Sequence, residues 1–161
     1  MNIDDILKPD CVIDNLEAKT KEEALDVMTH FLLGKGYVKD SFPEAILTRE
    51  RLYPSGLPME GHKIAIPHTD SEHVNESVLL FARLANPVEF SSMGDPNEKL
   101  QVQLISMFAL KEKKQIGYLL DVLITSYSDN DLLDAVLKAA STAEIYRLLK
   151  NAVSSHMKSE A

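Results

Sequence analysis

An α/β domain with a mixed β-sheet flanked by helices is the fold class this sequence predicts, and three observations predict it. Helical periodicity with capping signals dominates both ends, and two long runs rich in Val, Leu, Ile and Phe lie between them. The 161 residues carry no internal repeat and no low-complexity linker, as expected of one domain. That domain is expected to fill residues 1–161, with an ordered core over about 3–152.

The elements follow in order. Thr20 and Glu23 fit a capping box ahead of a helix whose apolar face carries Ala24, Leu25, Met28, Phe31 and Leu32, closed by Gly34 and Gly36. Ser41 and Glu44 suggest a second helix start, completing an N-terminal helix pair that runs into Thr48-Arg49-Glu50-Arg51. Tyr53 to Lys63 holds Pro54, Gly56, Pro58 and Gly61 and reads as a loop. Ile64 to Ile66 makes a short buried strand, and Ser77–Leu84 and Leu100–Leu110 read as central strands around a polar loop at Ser91–Glu98. Gln115–Tyr127 and Asp131–Ala139 are helical, and Ser141 with Glu144 caps a last helix through Leu148 and Leu149, leaving His156 in a polar tail.

Composition excludes several functions. An apolar share of 45% and a charged share of 26% are those of an ordinary globular domain. A net charge of −8 with no basic cluster argues against nucleic acid and favours a positively charged protein partner. Cys11 is the single cysteine, so neither an intramolecular disulfide nor a thiolate metal cluster is expected. Met1-Asn2-Ile3-Asp4-Asp5 has neither the basic region nor the apolar core of a signal peptide, and no apolar run approaches the ~20 residues that span a bilayer. The expected location is cytoplasmic.

There is no Gly-rich phosphate loop, Ser-centred nucleophile elbow or zinc-peptidase helix. Histidine remains. His30 falls within a helix, whereas His62, His68 and His73 cluster around one strand end. Pro67 ends the strand because it has no N–H to give, and its ring holds Ile66 extended. His68 therefore stands just past a rigid strand end, well placed for a nucleophilic imidazole.

Arg49-Glu50, the Pro54-Ser55-Gly56-Leu57 loop and Lys63-Ile64-Ala65-Ile66-Pro67-His68-Thr69 together resemble the type-2 (fructose/mannitol) IIA domains of the bacterial phosphoenolpyruvate-dependent sugar phosphotransferase system (PTS). The galactitol branch is the most similar, and the resemblance spans essentially the whole chain. It implies a phosphotransferase whose histidine, here His68, takes a phosphoryl group from the small histidine phosphocarrier HPr. It then passes the group to a IIB component, and a membrane IIC component couples transfer to sugar uptake. No cofactor and no metal are implied. Arg49 matches the family arginine beside the phosphorylated histidine and could grip phosphoryl oxygens. Ser55 and Thr69 are candidate phosphoryl donors. Asp70, grouped with them, or a backbone carbonyl would fix the His68 tautomer.

Mannitol- and fructose-type members carry a second histidine at the start of the helix after the core strand. Lys113-Lys114-Gln115-Ile116-Gly117-Tyr118-Leu119-Leu120 has none, as in the galactitol branch. His73 and His62 are the substitutes, His73 first because His62 should lie ~15 Å from His68 along the strand. Leu57, Met59 and Val74 are candidates for an apolar docking rim. Two other readings stand beside transport: a regulatory IIA-like protein controlled by His68 phosphorylation, and a metalloprotein using His62, His68 and His73.

Overall fold

A computed structural model describes residues 1–157; the remainder of the expected 1–161 domain, residues 158–161, lies outside the described residues. The order is α1 (Ile3–Ile6), β1 (Val12–Leu16), α2 (Lys21–Gly34), α3 (Phe42–Leu52), β2 (Ile64–Ala65), β3 (Val78–Ser91), β4 (Lys99–Ala109), α4 (Ile116–Tyr127), α5 (Asn130–Lys138) and α6 (Thr142–His156). The four strands form one mixed sheet in the order β1-β3-β4-β2. β3 and β4 pair antiparallel at its centre, while β1 runs parallel to β3 and β2 parallel to β4.

Both faces of the sheet are covered, which explains the continuous apolar runs of its central strands. Successive side chains alternate across a strand. Leu79 and Phe81 of β3 and Leu104 and Phe108 of β4 accordingly pack with Leu119, Leu123, Leu133 and Leu149 of α4, α5 and α6. Leu80 and Ala82 of β3 and Ile105 and Met107 of β4 pack on the other side, with Leu25, Met28 and Leu32 of α2 and Phe42 and Ile46 of α3. The fold is thus a three-layer α/β/α sandwich, as the sequence predicts.

Local chemistry sets most of the boundaries. Thr20 caps α2 by accepting from the Glu23 N–H at 3.2 Å, and Ser141 caps α6 through the Glu144 N–H at 3.2 Å. Ser41 makes no side-chain cap bond to α3; the helix starts at Phe42 with Pro43 in its first turn, where the missing N–H costs nothing. β3 runs beyond Leu84 to Ser91 because Pro87, which would stop a regular strand, falls where the register with β4 shifts between Arg83 and Val88. α6 extends to His156, so that residue ends a helix rather than lying in a tail.

The N-terminal helix pair expected from the sequence is α2 and α3, and ahead of it stand a single-turn α1 and the strand β1, which the sequence reading did not name. Asp14 and Asn15 hide β1 in the sequence, and Asn15 takes a left-handed conformation at φ 54°. Asp14 receives a two-pronged hydrogen bond from Arg83, at 2.7 Å for both Nε and Nη2. The same guanidinium donates through Nη1 to the carbonyls of Val136 and Ala139 at 2.9 and 2.8 Å. Arg83 thereby ties β1 and the C-terminal end of α5, with its unpaired carbonyls, to β3.

Candidate functional site

β2 stops after Ala65 and the chain turns out of the sheet at Pro67. The Pro67 carbonyl still accepts the Phe108 N–H at 3.2 Å, which pins the turn to the end of β4. His68 lies flat on the Phe108 ring, with centroids 4.6 Å apart and planes 12° from parallel. Its Nδ1 lies 3.0 Å from the Ile66 carbonyl. A carbonyl can only accept, so Nδ1 carries the proton and Nε2 keeps its lone pair. Burial lowers the imidazole pKa below its usual value; the Ile66 bond opposes this, and the nearby Arg49 charge adds to it. His68 is therefore a neutral, oriented imidazole with Nε2 available.

The pocket at His68, about 310 Å³, is lined on one side by Arg49, Glu50, Leu52, Tyr53, Pro54 and Ser55 from the end of α3 and the loop after it. Arg49 lies over the Tyr53 ring, 5.0 Å from Cζ to centroid, and its Nη1 is 3.9 Å from Asp70 Oδ1. Glu50 sits below, buried at 3% exposure, its carboxylate accepting the Ser55 N–H at 2.8 Å and the Ser55 O–H at 2.7 Å. Residues 55–57 run beside β2 as a short antiparallel segment. The Ser55 carbonyl accepts from Ile66 N–H at 3.0 Å, and Leu57 N–H donates to Ile64 at 2.9 Å. Of the charged groups lining this pocket, Arg49 is the permanent cation and Glu50 the carboxylate.

An oriented, neutral imidazole beside an arginine has the chemistry to take up and hold a phosphoryl group, and comparison with known proteins gives the family. Residues 5–152 match the family described as "Phosphoenolpyruvate-dependent sugar phosphotransferase system, EIIA 2". The chain belongs to this family. Members transfer phosphoryl groups through a histidine, so this IIA domain is a phosphotransferase. The galactitol-specific EIIA component of Escherichia coli K12 is 31% identical over 120 residues, covering 73% of this chain and 79% of that protein. The mannitol-specific enzyme IIA component of Geobacillus stearothermophilus is 28% identical over 147 residues, covering 89% and 94%. Crystalline IIA mannitol from Escherichia coli superimposes with a TM-score of 0.72 at 25% identity over 89% of this chain and 98% of that one. Enzyme IIAMTL of Escherichia coli, solved in complex with phosphorylated enzyme IIBMTL, gives 0.74 at 24% identity over 90% and 97%.

In this IIA domain the residues singled out from sequence separate into three places. Arg49 and Ser55 join His68 in its pocket. Thr69, Asp70 and His73 line an adjoining pocket of about 470 Å³, which Arg49, Leu52 and Tyr53 share. There His73 Nδ1 meets Ser41 Oγ at 2.8 Å, the hydroxyl that leaves α3 uncapped. His62 is elsewhere, its ring 3.2 Å from both Gln103 Oε1 and Asp134 Oδ1. The Gln103 and Phe108 N–H groups donate to Lys63 and Pro67 respectively, so the His62 and His68 ends of the segment lie about 17 Å apart along β4. The three histidines of the metalloprotein reading thus occupy separate environments.

Several expectations need correcting. The His68 tautomer partner is the Ile66 carbonyl, not Asp70, which faces Arg49. Ser55 gives its hydroxyl proton to Glu50. Leu57 and Val74 are each 3% exposed and belong to the core, because the loop folds back onto β2 and Val74 pairs with Val38; Met59 is half-buried against the same apolar layer. The exposed apolar residues at the site are instead Leu52 and Tyr53, at 66% and 64%. Phe108 was not singled out from the sequence, and Glu50 entered there only within the Arg49-Glu50 match, with no role of its own. Phe108 meets His68 through non-local pairing, which leaves no local trace. Glu50 did leave one: Phe42, Ile46 and Glu50 fall at intervals of four on the buried stripe of α3, where a carboxylate must have a partner.

Proposed function

We propose that this IIA domain is a cytoplasmic phosphoryl carrier that accepts phosphate on His68 Nε2 from the phosphocarrier HPr and hands it to a IIB component. A membrane IIC component then couples transfer to uptake of a galactitol-like polyol. The observation that carries this reading is the 3.0 Å contact of His68 Nδ1 with the Ile66 carbonyl, which leaves Nε2 as the nucleophile. The Nε2 lone pair attacks phosphorus as the donor's P–N bond breaks, and the departing imidazole keeps that bond's electron pair. The His68 ring becomes cationic on forming its own P–N bond, and the Ile66 carbonyl supports that charge through Nδ1–H. No proton has to move at His68 in either direction, which suits a relay that must run both to load and to unload.

Arg49 is the group to neutralise phosphoryl oxygens, its grip on Asp70 being loose at 3.9 Å. Thr69 and Asp70 stand next to it, and His73 is the nearer of the two candidate assisting histidines. Leu52 and Tyr53 supply the apolar rim for transient docking. The polyol assignment rests on the galactitol-specific relative from Escherichia coli. The test is labelling with phosphoenolpyruvate, the general PTS enzyme and the phosphocarrier. Wild type should take up acid-labile phosphate and His68→Ala none; equal labelling of the variant would overturn the assignment.

A further inference from the structure

We infer that Glu50 is a positioning residue for His68, holding the imidazole through Ser55 and Ile66 in the tautomer and orientation that present Nε2. This deepens the reading of His68 as phosphoryl acceptor and rests on it.

The connection is continuous in the structure. Both Glu50 oxygens are engaged by one residue, Oε2 by the Ser55 N–H at 2.8 Å and Oε1 by its hydroxyl at 2.7 Å. The Ser55 carbonyl accepts the Ile66 N–H at 3.0 Å, and the Ile66 carbonyl accepts His68 Nδ1–H at 3.0 Å. Ile66 lies past the last ladder residue of β2, and Pro67, which follows it, has no N–H. The height and tilt of the Ile66 carbonyl therefore depend on what Ser55 does, and Ser55 is seated by Glu50.

A carboxylate matches this place. Burying one is costly unless its oxygens are satisfied, and both are. Glutamine could still accept the Ser55 N–H, but the hydroxyl would have to turn and accept from its NH2, and both bonds would lose the carboxylate charge that strengthens them. Burial raises the Glu50 pKa on balance, against the pull of the two Ser55 bonds; it is the geometry, two donors converging on the two oxygens, that matches the ionised form. A residue serving stability alone would not need to be charged at the foot of a pocket meant for a phosphoryl group. The adjoining helical position belongs to Arg49, so one turn of α3 carries both the cation and the residue that seats the nucleophile.

The test compares Glu50→Gln, Ser55→Ala and wild type in the intact chain. Nitrogen-15 NMR of His68 reads the tautomer, and steady-state transfer from the phosphocarrier separates kcat from KM. Wild type should show the Nδ1–H form. Glu50→Gln should show a mixture, with kcat lowered at least about tenfold, the size lost when a histidine's orienting partner is removed. KM should be unchanged within about twofold, since the docking rim is untouched. Ser55→Ala should shift both readouts the same way by less. A purely structural role would lower the melting temperature and leave tautomer and kcat as in wild type; that result overturns the inference. If Glu50→Gln does not fold, Ser55→Ala decides alone: an unaltered tautomer and kcat refute it. Failure of wild type to take phosphate on His68 would instead overturn the functional reading, with the tautomer comparison still judging Glu50.

Discussion

Gly56 is where the loop of the site meets the sheet, and replacing it with alanine should damage fold and site together. A Cβ at this position would lie 2.6 Å from the Ser91 carbonyl oxygen and 3.1 Å from Leu100 Cδ1. Ordinary contact needs roughly 3.5 Å, so the two backbones must part by about 0.9 Å. That carbonyl is also the acceptor of the Gly56 N–H at 3.1 Å, and the Gly56 carbonyl accepts the Met93 N–H at 2.7 Å. Parting by this amount stretches the first bond past its useful range and bends the second, at about 1 kcal/mol each. Overpacking adds about 2 kcal/mol, and the alanine's smaller unfolded-state entropy returns about 0.7 kcal/mol. The net loss is about 3 kcal/mol, a fall of roughly 10 °C in Tm for a domain of this size. Urea unfolding and calorimetry of Gly56→Ala measure it. The loop also holds Ser55, so transfer to His68 should slow in the fraction that remains folded. A variant within about 0.5 kcal/mol of wild type would refute the claim that the loop is seated by this contact.

Three further outcomes are expected. Arg83→Met should cost roughly 1–3 kcal/mol, chiefly because it leaves the part-buried α5 carbonyls without their donor, while the exposed Asp14 carboxylate turns to water; a loss under about 0.5 kcal/mol would mean that water replaces Arg83 at the carbonyls too. The Arg83 hydrogen bonds hold the Asp14 pKa below the usual carboxylate value, so this stability is present above the unfolded pKa and lost as pH falls through the folded one. Acid titration of unfolding should show that dependence in wild type and lose it in Arg83→Met. Burial lowers the His68 pKa, so phosphoryl acceptance should stay flat as pH falls through the ordinary histidine value and decline only below it; half-loss at the ordinary value would contradict the buried, neutral imidazole. Leu52→Ser, at a residue 66% exposed, should raise KM for the phosphocarrier several-fold with stability within about 0.5 kcal/mol of wild type, and an unchanged KM would remove Leu52 from the docking rim.

Much of this protein was legible in its residues because the signals are local. Helix starts at Thr20 and Ser141 follow from side chains that bond their own next turn, and the central strands follow from apolar runs long enough to be buried on both faces. The placement of His68 at a strand end follows from Pro67 alone. Other features were decided by partners far away in sequence. Ser41 looks like a cap but is drawn to His73, thirty-two positions on, and Asp14, which obscures β1, is there to meet Arg83. Leu57 and Val74 sit in polar surroundings in the sequence and are buried in space, because their backbones pair with β2 and with Val38. Sequence determined the layered α/β fold and the turn that carries the histidine; only tertiary packing decided which tautomer that histidine holds. The Ile66 carbonyl that accepts the His68 Nδ1–H is near in sequence, but its seating against Ser55 and the Phe108 ring under the imidazole come from strand pairing rather than from spacing along the chain.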